Sequence, residues 1–171
     1  TLPKAPLSDI DDLPDNFKGR LNVEPSHADI LEKGDWRGMV QAYLACVSFA
    51  DHCVGEVMQG LNDGPNRDNT VVVLWSDHGF HLGEKQKWAK RTLWEESTRT
   101  PLIVAGPGID PGRCEEAVSL LDIYPTLVEH CGIKPPKQLD GKSLLPQLRN
   151  PQIARKHPVL TTSYYENHSI R

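Results

Sequence analysis

The sequence predicts an α/β fold, and three observations lead there. Thr70-Val71-Val72-Val73-Leu74 is an unbroken apolar and β-branched run without polar alternation, the pattern of a strand covered on both faces. Pro101-Leu102-Ile103-Val104-Ala105 repeats that character and is closed by Gly106-Pro107-Gly108. Around these runs lie segments whose apolar residues recur every three or four positions, as in amphipathic helices. The order helix, strand, loop, strand, helix, strand is that of a layered α/β architecture.

Residues 1–34 are rich in Pro, Asp and Asn, and Pro3, Pro6, Pro14 and Pro25 interrupt any regular period. They read as an irregular wrapping segment with a short helix at 28–33. Asp35 is a candidate N-cap for a helix of about seven turns, whose stripe runs through Trp36, Val40, Tyr43, Val47, Val54, Met58 and Leu61. Asn62-Asp63-Gly64-Pro65-Asn66 ends it. The first strand spans 70–76. Residues 79–100 have no clean period and read as a long loop with one helical turn, a length that usually signals function. The second strand, 101–105, follows. Residues 120–131 form a helix with Pro125 in its first turn and Gly132 as its stop. A short helix at 143–148 and a third strand at 159–162 complete the chain.

The 171 residues suffice for a domain with a core. A formal charge of −4 and the lack of a dense basic cluster give no electrostatic case for nucleic acid. No apolar run approaches the roughly 18–20 residues that span a bilayer, and no targeting segment opens the chain. The opening Thr1-Leu2-Pro3-Lys4 reads as the interior of a longer protein. Of the four cysteines, Cys46 and Cys53 fall on one helix about 10.5 Å apart along its axis. That is beyond disulfide reach, so buried free thiols are expected.

The chemistry is expected at residues 75–90, Trp-Ser-Asp-His-Gly-Phe-His-Leu-Gly-Glu-Lys-Gln-Lys-Trp-Ala-Lys, because catalytic groups of open α/β sheets gather at strand carboxyl ends. Asp77 and His78 form a candidate metal pair: the carboxylate offers hard oxygen and the imidazole suits zinc, manganese and similar ions. Gly79 permits the turn that would aim both at one ion. The plainer reading leaves Asp77 capping the turn and His78 exposed. Lys90 is a compact cation suited to sulfate or phosphate, and the flanking Trp88 and Trp94 indicate a loop folded back so that Lys90 lies in a restricted pocket. Lys85 and Lys87 read as surface residues. His81 is either a third, catalytic pocket group or a hydrogen-bonded residue behind the ligands. Glu95, Glu96 and Arg99 read as pins between the loop and the second strand.

Taken with Leu82-Gly83-Glu84, Trp88, Lys90 and Thr100-Pro101-Leu102-Ile103-Val104, the Asp77-His78-Gly79 motif resembles the sulfatases of the alkaline phosphatase superfamily, in the branch of iduronate-2-sulfatase and choline sulfatase. Tyr43-Leu44-Ala45-Cys46-Val47-Ser48, Leu121-Asp122-Ile123-Tyr124-Pro125-Thr126 and Asp140-Gly141-Lys142-Ser143-Leu144 extend the resemblance over residues 35–150. The resemblance implies part of an alkaline-phosphatase-like sandwich, with a mostly parallel central sheet flanked by helices, and residues 151–171 beginning the family's C-terminal region. It implies Asp77 and His78 as ligands to a divalent cation (calcium first, with magnesium, manganese or zinc as alternatives) and Lys90 as a contact to the sulfate. It also implies a formylglycine nucleophile made from the Cys or Ser of a C/S-x-P-x-R motif.

No cysteine or serine of this chain heads such a motif, and the family's earlier Asp-Asp ligands are absent too. The chain therefore reads as the middle-to-late part of a sulfatase, inactive alone, with the N-terminal part of the same enzyme as partner. The expected substrate is a sulfated small molecule or sulfated sugar. The resemblance further implies an exported, periplasmic or lysosomal location. Two other readings stand beside this one: a phosphodiester or phosphonate hydrolase of the same superfamily, and a non-catalytic binding module on a degenerate sulfatase scaffold.

Overall fold

A computed structural model describes residues 5–18, 25–135, 138–163 and 167–171. Residues 1–4 and 19–24 of the wrapping segment lie outside them. In chain order the elements are α1 (Asp15–Lys18), α2 (His27–Glu32), α3 (Trp36–Asn62), β1 (Val72–Trp75), β2 (His81–Leu82), β3 (Trp88–Ala89), α4 (Glu95–Thr98), β4 (Leu102–Ala105), α5 (Ile123–His130), α6 (Leu145–Arg149), β5 (Leu160–Ser163) and β6 (Asn167–Ile170). The chain divides into two compact units, residues 1–67 with 78–99 and residues 68–77 with 100–171.

In the first unit, α2 opens on a capping box in which Ser26 accepts from the Asp29 backbone and the Asp29 side chain takes the Ser26 N–H. Its end is a Schellman turn: Gly34, at φ 75°, donates to Leu31, and the Asp35 N–H reaches the Ile30 carbonyl. That turn feeds straight into α3. Asp35 itself has helical backbone angles, φ −80° and ψ −17°, and makes no side-chain cap bond, whereas a capping residue is typically extended. The start of α3 is anchored by the Trp36 indole, which donates to the Leu82 carbonyl at 2.8 Å, and about two turns further Tyr43 stacks on Phe80 with ring centroids 4.9 Å apart.

The apolar stripe of α3 has the expected spacing, yet Val40 is the one residue of this helix that is buried. Leu44, Val47, Phe49 and Val57 are exposed, and so are Cys46 and Cys53, both free thiols. The predicted burial of the two cysteines is thus corrected. The stripe residues Tyr43, Val54, Met58 and Leu61 are partly covered.

The second unit contains the two predicted strands. β1 and β4 pair Val72 with Ala105 and Trp75 with Leu102, antiparallel. Neither is covered on both faces: Trp75 and Ile103 are 50% and 55% exposed. All three ladders among the described residues are antiparallel, so these residues do not build the expected parallel sheet. A parallel pair needs a crossover that carries the chain back to the strand's starting end. Between β1 and β4 the helical pieces are only a turn or so long, and β4 re-enters from the end where β1 left.

The core of this unit lies lower in the chain. A second capping box, Ser119 with Asp122, starts a helical turn that runs into α5, and α5 stops at Gly132, φ 65°, in a second Schellman turn. Thr126 donates to the Asp122 carbonyl at 2.6 Å and accepts the Leu144 N–H at 2.8 Å, which docks α6 on α5. Val128, Leu144, Leu145 and Val159 are buried there. Asp122, 1% exposed at its side chain, pairs with Arg155 at 2.8 Å and also accepts the Ser119 and Lys142 N–H groups. β5 and β6 pair antiparallel, Leu160 opposite Ile170 and Ser163 opposite Asn167.

Candidate functional site

The strand that leads to the site is shorter than predicted. β1 ends at Trp75, and Ser76 makes one more backbone bond to Pro101 at 3.4 Å. Asp77 is exposed and is the last residue of its segment of the second unit; His78 begins the returning segment of the first. The two candidate ligands are joined by one peptide bond.

Gly79 then makes a turn that only glycine fits. Its N–H donates to the Ser97 carbonyl at 2.8 Å, and a Cβ at this position would collide with the Glu96 carbonyl. The turn is therefore pressed against α4. This fixes His78, whose Nδ1–H donates to the Gly79 carbonyl at 2.7 Å. A carbonyl can only accept, so the proton sits on Nδ1 and Nε2 keeps its lone pair. The Lys90 ammonium donates to that Nε2 at 2.6 Å. The structure thus brings His78 and Lys90 together. Lys90 is exposed, which corrects the expected restricted pocket: Trp88 turns away to donate to His27 Nδ1 at 3.3 Å, and Trp94 lies edge-on to His81.

His81 is 0% exposed. Its Nδ1–H donates to the Glu84 carbonyl at 3.2 Å and its Nε2 accepts from the Thr92 hydroxyl at 2.8 Å. Thr92 and Ser97 are hydrogen-bonded at 3.0 Å. Burial holds the imidazole pKa below its ordinary value, against a weaker opposing pull from Glu96 and Glu84. The network ties β2 to α4, directly behind the Gly79 turn.

The loop from 79 to 100 is more regular than its sequence indicates. β2 and β3 pair His81 with Ala89 and Leu82 with Trp88. The connection is a tight turn in which Gln86 donates to Gly83 and Lys87 to Glu84, each at 2.9 Å. Gly83 sits at φ 116°, packed so closely that a Cβ would come within 2.5 Å of His27 Cε1. Lys85 is not a free surface residue: its ammonium pairs with Asp12 at 3.0 Å, which raises the lysine pKa and lowers that of Asp12. Arg99, which follows α4, pairs with Glu95 at its start at 3.0 Å. Asp9 and Asp12, which hold this loop, were not singled out by the sequence, and Trp36 was expected only in the apolar stripe of α3; their partners lie 46 to 76 residues away.

The residues present fit a cation as part of a larger donor set. A metal-bound histidine usually donates its other ring N–H to a carbonyl or carboxylate, and His78 does so. Among the described residues there is no group of three or more His, Cys, Asp or Glu side chains able to hold a metal ion.

The sulfatase family model matches residues 5–133. This chain belongs to the sulfatase family of the alkaline phosphatase superfamily. It is 40% identical over 152 residues to a sulfatase of Formosa agariphila, covering 88% of this chain and 30% of the relative. To the choline-sulfatase of Rhizobium meliloti it is 36% identical over 158 residues, covering 91% of this chain and 30% of that protein. A solved enzyme in complex with its substrate, D-glucosamine-2-N,6-O-disulfate, superposes with a TM-score of 0.65 at 28% identity, over 92% of this chain and 32% of that one. The chain thus spans about a third of the length of these relatives. No helix among the described residues is long and apolar enough to cross a membrane.

Proposed function

We propose that this chain supplies one part of the active site of a sulfuric ester hydrolase. The observation that carries the reading is the Lys90–His78 contact, in a chain of the sulfatase family. Asp77 and His78 are two ligands of a divalent cation, calcium in the first instance, with His78 offering Nε2 once Lys90 moves off it. When bound, such a cation would neutralise charge on the sulfate and hold the attacking oxygen. Lys90, freed from His78, swings its ammonium to a sulfate oxygen, where charge shifts in the transition state. Gly79 and His81 keep the turn rigid, so His78 does not have to be ordered at the moment of reaction.

The nucleophile, a formylglycine, comes from outside this chain, since no C/S-x-P-x-R motif occurs in it. The chain alone is inactive and works with the N-terminal part of the same enzyme. A sulfated sugar is the favoured substrate, because one structural relative holds a disulfated glucosamine and another relative is an N-acetylglucosamine-6-O-sulfatase.

Turnover of sulfate esters and phosphodiesters by the full-length protein, before and after chelation, tests the reading. Sulfate esters should be preferred, chelation should stop turnover, and His78→Ala should raise the cation concentration needed to restore it. A preference for phosphodiesters would replace this reading with that of a phosphodiesterase of the same superfamily.

A further inference from the structure

Four non-glycine residues of the loop that carries Lys90 have positive φ: Lys85 at 52°, Gln86 at 54°, Ala89 at 62° and Arg91 at 79°. Side chains with a Cβ avoid this left-handed region, and none of the four is an Asn or Asp, whose short polar side chain eases entry. Local preference does not favour this shape, so contacts from outside the loop must hold it.

At Lys85 and Gln86 such contacts come from one place, residues 7–12. Asp9 Oδ2 accepts from the Lys85 backbone N–H at 2.7 Å, and the Asp9 carbonyl accepts from the Lys85 ammonium at 2.7 Å. Both Asp12 carboxylate oxygens accept from that ammonium at 3.0 Å. The Leu7 carbonyl accepts from the Gln86 side-chain amide at 2.7 Å. Both left-handed residues of the turn are therefore bonded to the same short segment. A second tie lies beside it: the His27 Nε2–H donates to the Ala5 carbonyl at 2.7 Å, while the other ring nitrogen of His27 takes the Trp88 indole.

The shape of this turn decides where β3 returns against β2, and Lys90 is the residue that follows β3. We propose that residues 7–12 are a positioning strap for Lys90, with Asp9 as the positioning residue. It acts through the Lys85 backbone and touches no substrate. The inference rests on the reading of Lys90 as the sulfate contact.

The test compares hydrogen exchange of the full-length protein with its sulfate-ester kinetics. Asp9→Ala should speed exchange over residues 83–91 alone and lower kcat/KM by about tenfold, the scale of a slightly misplaced catalytic group. Asp9→Asn keeps an acceptor for the Lys85 N–H and should lose less. Lys85→Gly, which relieves the left-handed penalty, should restore turnover in the Asp9→Ala background. Unchanged exchange at 83–91, or faster exchange throughout the unit without rescue by glycine, overturns the strap. If Asp9→Ala does not fold, Asp9→Asn is judged by the same two measurements. Full turnover in Lys90→Met would remove the Lys90 reading alone, and the exchange result would still decide whether Asp9 shapes the loop.

Discussion

Lys90 donates a 2.6 Å hydrogen bond to Nε2 of His78, twelve residues earlier. The opposite ring nitrogen is committed to the Gly79 carbonyl, so His78 has one lone pair to offer and Lys90 holds it. Lys90→Met keeps the length of the side chain and removes the cation. In the full-length protein it should lower kcat/KM for a sulfate ester by about 10²–10³, with an unchanged circular dichroism spectrum. Lys90→Arg should recover little, because a planar fork does not replace a compact ammonium. Steady-state kinetics decide it, and wild-type rates in Lys90→Met would take this residue out of the chemistry.

His81 sets a pH dependence of stability. Burial depresses its folded-state pKa below the ordinary 6.5, so in the unfolded chain it binds a proton more readily than in the folded one. Its contribution is present above pH 6.5 and is lost as pH falls from there through the depressed folded value. Urea midpoints between pH 8 and pH 5 should therefore decline on the acid side. In His81→Gln that decline should be shallower by about one proton. Equal slopes in the two proteins would show that His81 does not titrate differently on folding.

The Asp122–Arg155 pair is the buried electrostatic element of the second unit, with side chains 1% and 9% exposed. Asp122→Ala leaves a buried guanidinium without its partner and two N–H groups without an acceptor. It should cost about 3–5 kcal/mol in urea denaturation. By contrast, removing the exposed Lys18–Asp15 pair should produce no measurable change. Similar losses in the two variants would contradict the weight placed on burial.

Gly79→Ala would drive a methyl group into the Glu96 carbonyl, and α4 would have to retreat. We expect a loss of about 1–3 kcal/mol, together with faster proteolysis within residues 79–99. Gly55, which has open space around its Cβ position and lies within α3, should tolerate alanine and even gain from it. Thermal melts of the two variants, run side by side, provide the check.

What could be read in advance follows physical range. α3 was legible because its period runs over many turns, and α5 because Pro125 and Gly132 mark its start and stop. The Asp77-His78-Gly79 turn was legible because an apolar run breaks there abruptly. The β2–β3 hairpin was not: each strand has two residues, and its turn puts Lys85 and Gln86 in a conformation that sequences normally mark with Gly or Asn. The antiparallel pairing of β1 with β4 was hidden because a short apolar run carries no direction. Burial of β1 was overestimated for a related reason, since apolar character states what a strand tolerates and not what lies against it. Arg155 could not be matched to Asp122 because charged residues recur throughout the chain and spacing does not select among them.

The bond between Asp9 and Lys85 joins residues 76 apart in sequence. Contacts of such separation are assembled late, since the chain must close a large loop before they repay its entropy. The turn that places Lys90 would then acquire its native shape after α3 and the local helices have formed. Under mild denaturant it would be among the first parts to come undone. The capacity to act on substrate would thus appear as one of the last events of folding and vanish as one of the first of unfolding.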